Sequence, residues 1–392
     1  MTRLSQRKFP RNKVVTAFAG AIALAAGGAL LTSDGAEAQT SEASSSTQMK
    51  KSSQAKAAEA TAQKKTKPGA TYGSTALEEG ESEQRLMADI DNDVFHAMVL
   101  LDRANFSPGV IDGREGQNFT WALKGYQEAH GLEVTGELDT PTRQKLLENG
   151  RKPTRFLRID ETEFGSPHKS IPDDPTKQAE MERMPYKTLI EEVAERFHTT
   201  KETLIALNGD KAKNVEIGTV LQLPNVLPAS RDYGEMEGAE RDLFNALNVQ
   251  PEPGVKGKYI TVDESDGQLR VFDADDKLVA QFPVTTGSEN DPLPIGEWTV
   301  NAYSFLPPFH YQPDLFWDVD DSEESVMLPP GPNGPVGVAW LDLSKEHYGI
   351  HGTPEPQTIG YTESHGCLRM TNWDVLTLSR IMDEGFRAKF VA

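Results

Sequence analysis

The sequence has a single cysteine, Cys367, among 392 residues, and it is short of basic side chains. A lone thiol cannot close an internal disulfide, so it serves chemical reactivity, metal binding or no function. Against 60 Asp and Glu stand 40 Lys and Arg, which gives a formal net charge of -20. Nucleic acids and anionic membrane surfaces are polyanions, so this charge disfavours both as the main partner.

One long apolar run is present, from Val14 to Leu31. Basic residues precede it, and Ala36-Glu37-Ala38 supplies a small-x-small cleavage pattern. The arrangement predicts a signal peptide over residues 1–38 and therefore an exported protein. An uncleaved membrane anchor is the alternative, since about 18 apolar residues is near the lower limit for spanning a bilayer.

Large apolar side chains are almost lacking from residues 39–84. Such a segment cannot bury enough surface to offset the entropy of ordering it, so we predict a disordered tether.

Residues 85–150 show helical periodicity and predict a small helical module. The first helix follows from apolar residues at three- and four-residue steps: Leu86, Ile90, Val94, Met98 and Leu101. A second helix is predicted over residues 118–130, and a third is predicted from Thr140, as N-cap, to Leu147. Periodicity alone does not distinguish a ligand-binding module from a helical bundle without a ligand.

Residues 151–183 are polar and rich in proline, and we interpret them as a linker. In residues 184–226, two helices are predicted, the second capped by Thr200, and a strand at Val220–Pro224 ends the segment. A first strand is expected near Pro185–Thr188. Residues 227–256 predict a second linker with one short helix.

Residues 257–392 open with alternating apolar and polar positions separated by Asp-Gly and Asp-Asp turns, a pattern typical of paired antiparallel strands. Residues 306–335 are rich in Pro, Gly and acidic side chains, so we expect a long loop of the kind that often forms a lid. After Cys367, a helix is predicted from Trp373 to Met382, with Asn372 as its cap.

The chemistry of the chain is concentrated around Cys367. His351-Gly352-Thr353 precedes it, and it lies inside the run Ser364-His365-Gly366-Cys367-Leu368-Arg369-Met370-Thr371-Asn372. A thiol needs a nearby base to act as a nucleophile, and imidazole titrates near neutral pH. Glycines let backbone N–H groups approach a substrate carbonyl.

This motif resembles the signature of the L,D-transpeptidases, the YkuD-type cysteine enzymes of peptidoglycan cross-linking. The resemblance implies a β-rich catalytic domain over residues 257–392, a mixed β-sandwich with a C-terminal helix. Residues 85–150 resemble the three-helix peptidoglycan-binding module. Residues 184–226 resemble a LysM module, a β-α-α-β unit that in its family binds glycan containing N-acetylglucosamine.

The resemblance also implies roles for individual residues. Cys367 would be the nucleophile, His351 its base, and the Gly352 carbonyl the acceptor that orients the base. The backbone N–H groups of His365, Gly366 and Cys367 would form an oxyanion hole. No cofactor is implied.

Four side chains near the nucleophile have expected roles, and three of them keep an alternative. His365 is either structural support, which we favour, or the base itself. Arg369 either recognises a substrate carboxylate or forms an internal ion pair. Asn372 is a helix cap with a substrate role also open, and Ser364 is expected to fix the loop by hydrogen bonding.

The implied function is a peptidoglycan L,D-transpeptidase of the periplasm or cell wall, whose partners are tetrapeptide stems, glycan and carbapenem inhibitors. Acceptors would be a second stem, water, or a lysine of an outer-membrane protein, and a hydrolase of such attachments shares the motif. Two other classes compete with it: a zinc site formed by His347, His351, His365 and Cys367, and a wall anchor with an inert cysteine.

Overall fold

The computed structural model describes residues 90–148, 150–313 and 323–392. The predicted signal peptide, the tether and the first residues of the helical module lie outside these ranges. Within them, no helix has the length and apolar character needed to cross a bilayer.

The first described segment contains three helices in succession. They are α1 (Asn92–Arg103), α2 (Gln117–Ala129) and α3 (Thr140–Leu147). Asp91 caps α1 by accepting hydrogen bonds from the N–H groups of Asp93 and Val94. The cap of α3 is Asp139, which accepts from Thr142 N–H, so the predicted cap at Thr140 is one residue late. Asp and Thr are both good caps, and the sequence offers them side by side.

A two-stranded antiparallel sheet with helices between its strands follows. The elements are β1 (Thr154–Arg158), α4 (Glu161–Phe164), α5 (Pro175–Ala179), α6 (Leu189–Arg196), α7 (Lys201–Asn208), α8 (Asp210–Lys213) and β2 (Val220–Pro224). Thr200 caps α7 as predicted, by accepting from Thr203 N–H. We refer to residues 154–224 as the β-α-β unit.

The position of β1 corrects two predictions. It lies inside residues 151–183, which we interpreted as a linker, and no strand forms at Pro185–Thr188. β1 is short, and its exposed and partly buried residues do not alternate regularly. Its sequence therefore gives no clear strand signal. It is held by pairing with β2, from Thr154 opposite Pro224 to Arg158 opposite Val220. That partner is distant in sequence, and no local pattern reveals it.

After α9 (Gly238–Ala246), the chain enters its main sheet. The strands are β3 (Tyr259–Asp263), β4 (Gln268–Phe272), β5 (Leu278–Pro283), β6 (Gly296–Phe305), β7 (Phe309–Tyr311), β8 (Val326–Leu328), β9 (Ala339–Leu343), β10 (Gly349–His351), β11 (Leu368–Arg369) and β12 (Phe386–Val391), with helix α10 (Asn372–Ile381) before β12. Eight of them form a mixed sheet in the order β11-β10-β9-β6-β12-β3-β4-β5, and β7 pairs with β8.

The antiparallel pairing of β3, β4 and β5 confirms the prediction made from alternation. In place of two separate sheets of a sandwich, one sheet curls until its ends meet: Thr285, just beyond β5, forms an antiparallel bridge with Arg369 of β11. The predicted C-terminal helix, α10, is followed by β12, which lies inside the sheet between β6 and β3. The predicted long loop contains the β7–β8 pair.

The helical module contacts the main sheet at β5. Ser107 N–H donates to the Gln281 carbonyl, and Gln281 N–H donates to the Asn105 carbonyl, both at 2.9 Å. These bonds satisfy backbone groups that an edge strand would otherwise expose. At the C-terminal helix, α10 buries Trp373 completely, and the ring of His198 in the β-α-β unit stacks on that indole with ring centroids 4.8 Å apart. The helical module therefore packs on β5, and the β-α-β unit packs on α10, the helix that follows the cysteine motif.

Candidate active site

The candidate site is built on two neighbouring parallel strands, β10 and β11. Ile350 is in register with Leu368, and His351 with Arg369. Side chains alternate between the faces of a strand, so His351, Arg369 and Cys367 lie on the same face. The fold thus brings together the predicted nucleophile, the predicted base and the predicted substrate-binding arginine.

His351 is held in one tautomer by its neighbour. Its Nδ1 lies 2.7 Å from the carbonyl oxygen of Gly352. A carbonyl oxygen only accepts hydrogen bonds, so Nδ1 carries the proton and Nε2 carries the lone pair. The geometry thus matches the orienting role that the resemblance implied for Gly352.

The surroundings of His351 keep its ring neutral. The side chain is 5% exposed, and the indole of Trp340 stacks on it. Burial lowers the pKa of His351 to about 4; the hydrogen bond to Gly352 acts in the opposite direction, and the charge of Arg369 lowers the pKa further. At neutral pH, Nε2 is therefore available to take a proton.

Cys367 lies half-buried at the start of β11, with Sγ 3.6 Å from the carbonyl oxygen of His347. Burial raises the pKa of this thiol to about 11, although a backbone hydrogen bond at Gly349 and the charge of Arg369 lower it. The carboxylate of Asp291 raises it further. The site therefore holds a neutral thiol beside a neutral imidazole, because burial disfavours the charged form of each.

Gly366 is required by its backbone conformation and by its neighbour. Its φ is +96°, in the region that favours glycine, and an added Cβ would lie 2.9 Å from the ring of Tyr348. A side chain here would shift either the tyrosine or the backbone that carries Cys367. The motif glycine is thus explained by sterics, beside any role in an oxyanion hole.

Ser364 is buried, and its hydroxyl donates to the carbonyl oxygen of Cys367 at 2.6 Å. Its N–H donates to the Thr286 carbonyl at 2.9 Å. These bonds match the loop-fixing role expected of Ser364, and they direct its hydroxyl into the protein rather than toward a substrate.

Arg369 is half-buried, and its backbone exchanges two hydrogen bonds with Thr285. Burial lowers the pKa of its guanidinium, while Cys367, when ionised, and the carboxylate of Glu355 act in the opposite direction. Among the residues that the structure describes, Arg369 forms no ion pair. This favours recognition of a substrate carboxylate over an internal ion pair.

Asn372 is not the cap of α10. Thr371 is, because its side chain accepts from Asp374 N–H. Asn372 is the first helical residue and is fully buried; its Oδ1 accepts from Val338 N–H at 3.0 Å. Its amide is committed to contacts inside the protein, so it supports the site rather than meeting a substrate.

His365 is half-buried in the turn before Gly366. Nothing in the described residues places the four predicted zinc ligands together: no group of three His, Cys, Asp or Glu side chains there is arranged to hold a metal ion.

Three residues near the site were not predicted to have a role in it. Trp340 is opposite His351 across β9 and β10, where the sequence shows only an aromatic residue in a strand. Asp291 lies in the turn before β6, and its only signal was a charge in a proline-rich segment. Glu195 comes from α6, far away in sequence, and no local pattern marks it.

The described residues thus include a curled β-rich domain in which a cysteine and an oriented histidine lie at adjacent strands, and comparison with known proteins identifies the family. The YkuD model, described as the L,D-transpeptidase catalytic domain, matches residues 257–389. A model described as "Putative peptidoglycan binding domain" matches residues 91–146.

Curated relatives extend the comparison beyond the catalytic domain. The chain is 30% identical over 199 residues to "Putative L,D-transpeptidase YkuD" of Bacillus licheniformis, covering 50% of this chain and 90% of the relative. The protein of that name from Bacillus subtilis is 55% identical over 56 residues, which cover 14% of this chain and 34% of the relative. The chain belongs to the L,D-transpeptidase family.

Among solved structures, an L,D-transpeptidase from Mycobacterium smegmatis is similar at a TM-score of 0.28 and 16% identity, over 35% of this chain and 59% of that chain.

Proposed function

We propose that this protein is an exported peptidoglycan L,D-transpeptidase that forms an acyl-enzyme at Cys367. The observation that carries the proposal is the 2.7 Å contact from His351 Nδ1 to the Gly352 carbonyl, because it leaves the basic Nε2 on the face that carries the thiol. Family membership supports the reaction class.

In the proposed first half-reaction, Nε2 of His351 takes the thiol proton as Sγ attacks the peptide carbonyl before the terminal D-Ala of a tetrapeptide stem. The N–H groups of His365, Gly366 and Cys367 hold the oxyanion. The imidazolium then gives its proton to the departing D-Ala amine, and a thioester remains. Since the thiol is neutral in the free enzyme, proton transfer accompanies attack rather than preceding it.

In the second half-reaction, an amine attacks the thioester, His351 takes a proton from the amine, and the thiol is restored. A diamino acid of a second stem gives a 3-3 cross-link, and a protein lysine gives an attached protein. If water attacks instead, the enzyme is a carboxypeptidase, which is the second candidate function. The half-buried position of Cys367 does not favour water over an amine as the acceptor.

We assign the remaining parts of the chain to substrate delivery in the periplasm or cell wall. The helical module would bind peptidoglycan, in agreement with the family model that matches it. The β-α-β unit would bind glycan as a LysM-like module; its two antiparallel strands with helices between them support this.

Digestion of purified sacculi with the mature enzyme, followed by mass spectrometry of the muropeptides, tests the proposal. We expect loss of D-Ala from tetrapeptides and new 3-3 dimers. Cys367→Ala is the matched control and should give neither product while keeping its thermal midpoint. Product formation by Cys367→Ala would refute the proposal, and tripeptides without dimers would select the carboxypeptidase.

A further inference from the structure

Glu195, on α6 of the β-α-β unit, is buried against the catalytic domain. Glu195 is 7% exposed, and its Oε1 accepts a hydrogen bond from Nδ2 of Asn372 at 2.5 Å. Asn372 lies 177 residues later in the chain. The contact joins a carboxyl group of one part of the protein to the first residue of α10 in another.

The contacts of Asn372 fix which way its amide is turned. Nδ2 also lies 3.3 Å from the Pro332 carbonyl, and Oδ1 accepts from Val338 N–H. A carboxylate and a carbonyl accept hydrogen bonds, whereas a backbone N–H donates them. If the amide were reversed, Oδ1 would lie against the Glu195 carboxyl group and the Pro332 carbonyl, and the NH₂ group would lie against Val338 N–H. Glu195 contributes the shortest of these contacts.

Asn372 in turn lies directly against the residue that orients the base. A Cβ added to Gly352 would come 2.0 Å from Asn372 Oδ1, and one added to Gly337 would come equally close. Gly352 N–H donates to the Ala339 carbonyl at 3.2 Å, and its own carbonyl receives Nδ1–H of His351. Glu195, Asn372 and Gly352 thus form a continuous set of contacts that ends at His351.

We infer that Glu195 is a positioning residue for the base His351, supplied to the active site by the β-α-β unit. It acts by holding Asn372, which keeps the Gly352 carbonyl where it orients the imidazole. The inference rests on the proposed function insofar as His351 is the base of that reaction. It gives the β-α-β unit a role in catalysis beside any binding of glycan.

The protonation state of Glu195 does not alter this role. Burial raises its pKa to about 7, while hydrogen bonds from Asn372 and Tyr186 lower it. The nearby charge of Glu191 raises the pKa and that of His198 lowers it. A protonated carboxyl group keeps one acceptor oxygen, so either form can accept from Asn372 Nδ2.

The same helix offers a matched control, Glu191. Its Oε1 accepts from Nδ2 of Asn333 at 2.7 Å, which is also a carboxyl-to-amide contact between α6 and the catalytic side of the protein. Among the described residues, Glu191 has no hydrogen bond to Asn372, whereas Glu195 contacts Asn372 directly. A role that is only structural would give Glu195→Leu and Glu191→Leu similar effects.

The test compares the full-length wild type, Glu195→Leu, Glu195→Gln and Glu191→Leu. We expect Glu195→Leu to lower kcat for the transpeptidase reaction about 10- to 100-fold with KM within about threefold, because a misplaced base slows the chemical step. Glu191→Leu should keep kcat within about threefold. Glu195→Gln keeps an acceptor oxygen, so its kcat should be close to that of the wild type.

A second measurement needs no wall substrate and so separates this inference from the proposed function. Nitrogen-15 spectra of histidine-labelled protein, with the His351 signals assigned through His351→Gln, report the tautomer. We expect the Nδ1–H form alone in the wild type and Glu191→Leu, and a mixture of tautomers in Glu195→Leu. An unchanged tautomer together with an unchanged kcat in folded Glu195→Leu would overturn the inference. Inactive wild type with the expected tautomers would instead refute only the proposed function.

Discussion

The indole of Trp340 covers one face of the His351 imidazole, with ring centroids 5.5 Å apart and planes inclined by 14°. The two residues are in register across β9 and β10, so the stack is set by strand pairing. Burial is the main cause of the low pKa of His351, and Trp340 supplies part of that burial. The tryptophan therefore keeps the base unprotonated in mildly acidic surroundings.

Replacing Trp340 by alanine should raise the pKa of His351 from about 4 toward the ordinary histidine value of about 6.5, because water would reach the ring and stabilise its charged form. At pH 5 the variant should therefore lose more activity, relative to pH 7.5, than the wild type does. Titration of the His351 nitrogen-15 shifts measures the change. Trp121→Ala, in α2 of the helical module, is the control and should leave the pKa of His351 where it is. An unchanged His351 pKa in Trp340→Ala would contradict this account.

In the wild type, acylation of Cys367 should be nearly independent of pH between about 6 and 9. The pKa of His351 is about 4 and that of Cys367 about 11, so neither group titrates in this window. The rate should rise as pH increases through the His351 pKa, since only the neutral imidazole accepts a proton. Single-turnover acylation across a pH series gives the profile. A transition between pH 6 and 9 that persists with an uncharged acyl donor and disappears in His351→Ala would indicate a thiolate–imidazolium pair instead.

The sequence predicted which candidate site residues lie together, because they are grouped along the chain. His351 and Gly352 are adjacent, and Ser364 through Arg369 form one run, so their local order already contains most of the chemistry. The strands β3 to β5 and the cap of α7 were also predicted, since alternation and capping are local signals.

What the sequence could not predict depends on contacts between distant residues. β1 becomes a strand by pairing with β2, and Glu195 reaches Asn372 across 177 positions. The raised pKa of Cys367 results from burial, which no local pattern reports. β12 is a different case, because the alternation of its buried residues Phe386, Ala388 and Phe390 was visible in the sequence and was missed.

Stability should decrease as pH rises from 5 to 8, in part through Asp374. This carboxyl group is 2% exposed and accepts from the Ser107 hydroxyl at 2.8 Å; burial first, and then the charge of Asp102, raises its pKa to about 7. The folded state then holds a proton that the unfolded state releases near pH 4, so folding is disfavoured progressively up to the folded-state pKa. For this group alone the change from pH 5 to 7 is about 2–3 kcal/mol.

Asp374→Asn keeps an acceptor for Ser107 and removes the titration, so its thermal midpoint should fall less between pH 5 and pH 8 than that of the wild type. Asp242→Asn, at an exposed carboxylate of α9, should follow the wild type. Parallel decreases in all three proteins would show that the buried carboxyl group of Asp374 is not the source of the pH dependence.

A carbapenem should acylate Cys367 and no other residue, and Arg369 should accelerate the reaction. A strained β-lactam imitates an acyl-D-Ala bond, so a thiolate formed as His351 takes the proton can open the ring and retain the acyl group as a thioester. Arg369 lies on the same face as Cys367, and among the described residues it forms no ion pair, which leaves its guanidinium able to bind the lactam carboxylate.

We expect a mass increase of one carbapenem on the peptide containing Cys367, formed about 10- to 100-fold more slowly in Arg369→Ala, since a charge-assisted hydrogen bond contributes roughly 1.5–3 kcal/mol. Arg387→Ala, at an exposed position of β12, should react at the wild-type rate. Equal rates in Arg369→Ala and the wild type would remove Arg369 from carboxylate recognition, and absence of an adduct while iodoacetamide still alkylates Cys367 would mean that the site does not accept an acyl-D-amino acid.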